Sequence, residues 1–220
     1  MKSMVISPHP DDEVLGTGGT LLRRKAEGSS TAWIIVTEMS KENGYDDKTI
    51  NQRNIEIEKI TKLFGFSEVY KLGLPTTKLD TLNLGDIVAK FSECLKSFKP
   101  EELFIPHQFD SHSDHRVVFE AATSCTKWFR YPFIKRILSY ETISETNVSL
   151  NTGNAFKPNV YIDISEYLEA KINAMKIYES EIDAFPFPRS EEAIDALAKF
   201  RGSSSGFYAS EAFELLQERQ

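Results

Sequence analysis

The sequence predicts an α/β fold: a mostly parallel sheet with helices on both faces, the three-layer α/β/α arrangement. Three observations predict it. Short apolar runs rich in β-branched residues alternate with amphipathic stretches of helical length. Glycine or proline closes most of these stretches. The chain has 220 residues, 40% of them hydrophobic, which suits one such domain with a sizeable core. It is therefore read as a single domain over residues 1–220.

The elements follow in order. Met4-Val5-Ile6-Ser7, bounded by Pro8, reads as a buried strand. Residues 13–27 carry Leu15, Leu21 and Leu22 at helical spacing and stop at Gly28. The basic run Arg23-Arg24-Lys25 reads as the solvated end of that helix, where cations suit the dipole. Residues 31–37 (TAWIIVT) form a second strand, and residues 51–64 a second helix, ended by Gly65. Asp46-Asp47 reads as an exposed helix start. A brief third strand covers 68–71, a third helix 86–98 before Pro100, a fourth strand 102–106, a fourth helix 114–127 and a fifth strand 134–141.

The last third is less regular. Residues 147–159 are polar and loop-like, and Val160-Tyr161-Ile162 reads as a late strand. Residues 165–180 predict a helix with Ser165 as N-cap and an apolar face including Leu168, Ile172, Met175 and Ile177. Phe185-Pro186-Phe187-Pro188 excludes regular helix. Gly202-Ser-Ser-Ser-Gly206 reads as a plain loop.

Charge and composition exclude several classes. A formal charge of -7 leaves no basic face for nucleic acid or an anionic membrane. No stretch approaches a membrane span, and the N-terminal apolar run is too short for a signal peptide. Cys94 and Cys125 lie in predicted helices without a CxxC, and read as small buried hydrophobes in a reducing cytoplasm. Gly16-Thr17-Gly18-Gly19 lacks the G-x-G-x-x-G spacing of a dinucleotide loop and reads as close packing of the first helix.

The chemistry lies in the histidines. All four fall in two aspartate-rich segments, His9-Pro10-Asp11-Asp12-Glu13 and His107-Gln-Phe-Asp-Ser-His-Ser-Asp-His115. Each directly follows a predicted strand, the first and the fourth, and parallel sheets gather ligands at strand carboxyl ends. Imidazole and carboxylate together bind zinc and similar divalent ions, and they also move protons. His9 and Asp12 are three apart at a strand-to-helix turn, a spacing that lets both face one point. A further imidazole from His107, His112 or His115 would complete a three-ligand site with an open position for water. Asp11 remains uncommitted beside it, as a general base must be. Singly, each residue has an ordinary reading. Asp11 and Asp12 suit a helix N-terminus, His112 and His115 a surface loop, and Arg53 a helix-surface pair with Glu56.

Pro8-His9-Pro10-Asp11-Asp12-Glu13 and Asp110-Ser111-His112-Ser113-Asp114-His115 resemble the two boxes of the PIG-L or LmbE-like zinc deacetylases. Arg53-Asn54-Ile55-Glu56, Leu72-Gly73-Leu74-Pro75, Asp163-Ile164-Ser165 with Lys171, and Glu211-Ala212-Phe213 extend the resemblance over nearly the whole chain. It implies a Rossmann-like fold, a Zn2+ cofactor, and hydrolysis of an N-acetyl group on an amino sugar or sugar derivative. Fe2+ or another divalent metal suits the same ligand types. The resemblance also implies His9, Asp12 and His115 as metal ligands and Asp11 as catalytic base. His112 would be the second catalytic residue, charged and oriented by Asp114, and Arg53 a holder of substrate hydroxyls. His107 matches no box position and reads as a supporting or surface residue, while Asp110 is expected to shape its loop through backbone hydrogen bonds. The resemblance further implies a small N-acetylated molecule as partner, and it allows a homo-oligomer.

One position departs from the family. Many relatives carry an acidic residue after the Leu-Gly-x-Pro stretch, where this chain has Thr76 and Thr77. Threonine hydrogen-bonds without charge. A non-sugar N-acyl amine or natural product therefore stands as the alternative substrate, and a non-catalytic binding protein as the reading from another class.

Overall fold

A computed structural model describes residues 1–220, the side chain of Thr152 aside. The first 124 residues repeat one strand-helix unit. β1 (Lys2–Ser7) leads into α1 (Asp12–Ala26), and β2 (Ser30–Glu38) into α2 (Asp47–Phe64). β3 (Glu68–Pro75) leads into α3 (Leu84–Phe98), and β4 (Glu102–Pro106) into α4 (Ser113–Ser124). β5 (Arg136–Tyr140), β6 (Val160–Asp163), α5 (Leu168–Met175), α6 (Glu191–Ser203) and β7 (Ser210–Glu218) follow.

Among the described residues, seven strands form one sheet in the order β3-β2-β1-β4-β5-β7-β6. The five from β3 to β5 run parallel, and β7 enters between β5 and β6 antiparallel to both. The chain winds outward from β1 through β2 to β3, then returns to the other side of β1 for β4 and β5. That reversal opens a crevice beyond the carboxyl ends of β1 and β4, the two strands that the histidine segments follow.

The pleat divides the core. Met4, Ile6 and Ile34 face Phe91 of α3 and Val118 of α4, whereas Val5, Trp33 and Ile35 pack with Leu15 of α1, Phe64 of α2 and Met175 of α5. Each such side chain contributes roughly 1.5–3 kcal/mol on burial. A one-residue slip of β1 would exchange its two faces, so both layers hold its register. The α/β/α arrangement expected from the alternation is thus observed. The α1 glycines pack as expected. A Cβ on Gly16 would lie 2.2 Å from the Tyr140 ring, and one on Gly19 2.7 Å from Ile164.

Several elements differ from the sequence expectations. β3 runs on to Pro75, because its second half continues to pair with β2 at Thr37 and Glu38 across an irregularity. α5 is shorter than expected. Ser165 does not cap it but donates to the Asp163 carboxylate at 2.5 Å, and the helix begins three residues later. α6 and β7 were not expected at all. α6 is capped by Ser190, whose hydroxyl accepts from the Ala193 amide at 3.1 Å. It runs through Gly202, where a Cβ would meet the Phe207 carbonyl at 2.7 Å, so the expected Gly202–Gly206 loop begins inside a helix. Arg24 is not solvated: it is buried and makes two bonds to Glu102, at 2.9 and 3.0 Å. Asp46 caps α2 as expected, accepting from Thr49 at 2.8 Å. Cys94 and Cys125 are free and buried. Among the described residues, no helix is long and apolar enough to cross a membrane.

Candidate metal centre and active-site cavity

Beyond β1 the chain turns sharply. Asp11 takes a φ of 140°, a conformation costly to an L-residue and typical of functional turns. Three bonds hold the turn. The His9 amide donates to Asp12 Oδ2 at 2.8 Å, the Asp11 amide to Glu13 Oε2 at 3.1 Å, and an Arg53 NH1 group to the Pro10 carbonyl at 2.7 Å. The segment after β4 lies alongside, because β1 and β4 are sheet neighbours.

The two segments converge. Asp12 Oδ2 lies 3.5 Å from His9 Nδ1 and 3.4 Å from His115 Nε2. Ligand atoms of His9, Asp12 and His115 all fall within 4.8 Å of one another. The far side of each imidazole is tied back: His9 Nε2 to Asp114 Oδ2 at 3.0 Å, and His115 Nδ1 to Asp110 Oδ2 at 2.8 Å. A carboxylate behind each of these histidines fixes ring and tautomer and raises the basicity of the inward nitrogen, as is common where histidine binds a divalent metal. Two imidazoles and one carboxylate, all inward-facing and backed, fit a zinc-like ion. In the protein without such an ion, the same charges shift the titrations. Burial pulls His9 down, but bonds to Asp114 and Asp12 outweigh it and raise it to about 9. His115 is likewise raised against its burial by Asp12 and Asp110. Asp12 is held far below the usual carboxylate range by the two histidines, despite its burial.

A cavity of about 490 Å³ opens over this cluster. His9, Asp11, Asp12, His112 and His115 form part of its wall. Asp11 is raised to about 7, first by burial and then by the charges of Asp12 and Glu181. That is a carboxylate poised to exchange a proton near neutrality. His112 caps α4 by accepting the Asp114 amide on Nδ1 at 3.1 Å, so its proton sits on Nε2. Burial and the neighbouring His9 and His115 lower its affinity for a second proton.

Some expected roles change in this geometry. The Asp114 carboxylate does not pair with the His112 ring. It backs His9 and accepts the Thr77 and Leu79 amides at 2.7 and 3.1 Å. The expected ion pair between protonated His112 and Asp114 is therefore absent, and His112 is held as a neutral donor. Asp110 shapes its surroundings through side-chain bonds, backing His115 and accepting from Thr146 at 2.6 Å. Arg53 borders the cavity, but its guanidinium is committed to Pro10, Ser180, Glu181 and Glu56. It positions the Pro10–Asp11 turn; its fork is not turned freely to a substrate. His107 is buried apart from the cluster, edge-on to Phe109 and Phe156 and 3.3 Å from Glu214.

Sequence reasoning missed the far wall. Glu181 bridges Arg53 and Arg189, and both Glu181 and Arg189 line the cavity. Tyr178 donates to Glu13 Oε1 at 2.7 Å beneath the Asp11 turn. Glu13, inside the first box, was the available clue: a buried acid needs a partner, and burial raises it to about 8. Nothing near Glu181 or Arg189 in the sequence announces a site.

Comparison with known proteins agrees with this architecture. The family described as GlcNAc-PI de-N-acetylase, PIG-L, matches residues 4–126. The uncharacterized deacetylase YaiS of Escherichia coli is 28% identical over 183 residues, covering 80% of this chain and 90% of that protein. The diacetylchitobiose deacetylase of Thermococcus kodakarensis is 21% identical over 217 residues, covering 93% of this chain and 79% of that protein. Among solved structures, the conserved protein TT1542 of Thermus thermophilus superposes with a TM-score of 0.80 at 26% identity, covering 99% of this chain and 96% of that one.

Proposed function

We propose, for a chain that belongs to the PIG-L family of de-N-acetylases, that it is a zinc-dependent N-deacetylase. It hydrolyses the acetamide of an amino sugar or sugar derivative to acetate and a free amine. The observation that carries this reading is the convergence of His9, Asp12 and His115 on the cavity wall, with the uncommitted carboxylate of Asp11 beside them. The names of the deacetylase relatives support the reaction class. Residues 1–220 are read as one catalytic domain, and two free buried cysteines suit a reducing compartment such as the cytoplasm.

His9, Asp12 and His115 would hold a zinc ion, which would supply Lewis acidity and make a water molecule more acidic. The protein's own groups do the rest. Asp11, whose carboxylate borders the cavity beside these ligands, accepts the proton of the attacking water on a carboxylate oxygen. His112, neutral and carrying its proton on Nε2, donates a hydrogen bond to the acetyl oxygen as negative charge gathers there. The C–N bond breaks when the nitrogen receives a proton, which Asp11 can return. Arg53 holds the Pro10 carbonyl, and through it the Asp11 turn, while the cavity encloses the acyl group.

The rim favours one further reading of the substrate. Thr76 and Thr77 border the cavity without a negative charge, so a non-sugar N-acyl amine is the alternative. Acetate release is to be measured for the zinc-loaded protein over a panel of N-acetylated amino sugars, their derivatives and other N-acyl amines. Turnover confined to the sugars supports the first reading, and turnover confined to the others replaces it. No acetate from any of them returns the chain to a binding role.

A further inference from the structure

The connection between β2 and α2 brings apolar surface to the cavity. Residues 39–46 read Met-Ser-Lys-Glu-Asn-Gly-Tyr-Asp, and Met39 and Tyr45 are the only large apolar side chains among them. Both line the cavity. The Tyr45 amide donates to the Ser40 carbonyl at 3.2 Å, which closes the loop and returns Tyr45 to the neighbour of Met39. Ile50 and Ile57, two turns apart on α2, line the same cavity. Ile57 belongs to the core, whereas Met39, Tyr45 and Ile50 are only half-buried and join none of the three hydrophobic clusters. Apolar side chains gathered at a cavity, with no core to pack against, mark a ligand surface. Lys41 and Glu42 border the cavity as well, but both are exposed and Lys41 is paired with Asp47 at 2.9 Å. The other connections bring polar groups: Thr76 and Thr77 after β3, Ser144 and Glu145 after β5, and Arg189 before α6.

We propose that Met39, Tyr45 and Ile50 form a subsite for an apolar group on the amine side of the substrate, so that the substrate is an N-acetylated amino sugar bearing an aryl or short alkyl aglycone. The proposal rests on the reading of the chain as an N-deacetylase. Under that reading the acyl end lies at His9, Asp12 and His115, and an acetyl methyl takes little room. The cavity of about 490 Å³ has the size of a site for a whole small molecule, so most of it belongs to the amine part. The polar connections suit the hydroxyls of the sugar. The three half-buried apolar side chains offer no partner to a hydroxyl beyond the Tyr45 phenol, and they gain by being covered. A second sugar ring would set its hydroxyls against them, whereas an aromatic ring or a short alkyl chain would not.

The test compares kcat/KM of the zinc-loaded protein for three substrates: an N-acetylated amino sugar, its phenyl glycoside and an N-acetylated disaccharide. The phenyl glycoside is expected to exceed the other two about 10- to 100-fold, the scale of burying one apolar group. Tyr45→Ser and Ile50→Ser should each shrink that ratio severalfold, and Tyr45→Phe should keep it, because the ring and not the hydroxyl makes the contact. Calorimetry of the phenyl glycoside with chelated protein reads the same subsite without turnover, and binding should weaken in Tyr45→Ser. Equal kcat/KM for the three substrates, or a preference for the disaccharide, overturns the proposal. So does a preference for the phenyl glycoside that survives both serine variants, which would put the apolar group elsewhere. A gain found instead on lengthening the N-acyl chain, and lost in the same variants, overturns the assignment to the amine side. Failure of the deacetylase reading looks different: no substrate releases acetate, while calorimetry still finds the phenyl glycoside bound through Tyr45.

Discussion

The segment up to Ser124 and the segment from Asn147 onward contribute to one cavity by different means. The first places every proposed ligand and proton carrier at the carboxyl ends of two adjacent parallel strands, β1 and β4. The second reverses direction in the sheet and supplies a wall: Tyr178 under Glu13, and Glu181 with Arg189 across from Asp11. The family match stops at residue 126, near the end of the first segment. The difference teaches that the reaction is a property of the strand ends, whereas cavity shape and charge belong to whatever is docked against them.

Substitutions on the two sides should separate accordingly. The largest effect is expected from Asp11→Asn, which keeps size and tolerates the positive φ but cannot accept a proton. Turnover should fall about 100- to 10,000-fold with zinc content unchanged, as read by steady-state kinetics and metal analysis. Arg189→Ala should act on the other side of the comparison. It removes a half-exposed guanidinium that donates to the Glu181 carboxylate at 3.0 Å. KM should rise about tenfold, the scale of one charge-assisted hydrogen bond, and kcat should change far less than in Asp11→Asn, although Arg189 also acts on Asp11 through its charge. A loss of turnover in Arg189→Ala as deep as that in Asp11→Asn would erase the division between engine and wall.

A third substitution addresses how the two segments are joined. α1 meets the late segment at Gly19, whose added Cβ would lie 2.7 Å from Ile164. The Gly19 amide also donates to Glu211 Oε1 at 2.9 Å, and Glu211 is paired with buried Lys171 at 2.6 Å. Gly19→Ala should cost about 1–3 kcal/mol through overpacking, lowering the thermal midpoint by several degrees while zinc affinity stays at the wild-type value. A midpoint unchanged by Gly19→Ala would mean that the late segment yields readily at this contact.

The same division explains what the sequence made legible. Parallel strands buried on both faces read as unbroken apolar runs, so TAWIIVT and ELFIP announce themselves, and the boxes directly after strands announce the site. β7 is antiparallel and only its first four residues are buried, so SEAFELLQE carries no comparable run. α6 had signals, Ser190 before Ile194 and Ala198 on one face, but Gly202 near its end resembles a stop and hides a close backbone approach. Of the candidate ligands, His9 and Asp12 were legible from ligand type and spacing, whereas only the resemblance chose His115 among three histidines. The partner of Asp114 was not legible: the resemblance implied His112, whereas the Asp114 carboxylate bonds His9 and only the Asp114 amide bonds the His112 ring. Contacts such as Glu181 with Arg53 span 128 residues, and no local pattern encodes them.

The smallest effect expected is a pH slope in the stability of the chelated protein, and its sign follows from the shifts. Asp11 is raised from 3.8 to about 7 and Glu13 from 4.5 to about 8, both chiefly by burial. Between the unfolded and folded values the native state holds protons that the unfolded chain has released, so stability declines as pH rises through that window. His9, raised from 6.5 to about 9 because Asp114 and Asp12 outweigh its burial, acts in the same direction: its contribution is complete below 6.5 and lost toward 9. Asp12 and Asp114 are lowered, so their contribution is lost only as the medium becomes strongly acidic. The thermal midpoint of chelated protein should therefore fall from about pH 5 to pH 9 by these titrations. Added zinc should raise it more at the alkaline end, because the ion needs histidine free of its proton. Glu13→Gln should flatten the slope between about pH 5 and 8 without changing the His9 part. A midpoint that climbs over the same range would place the buried protons elsewhere and remove the cooperation between Tyr178 of the late segment and the Asp11 turn of the first.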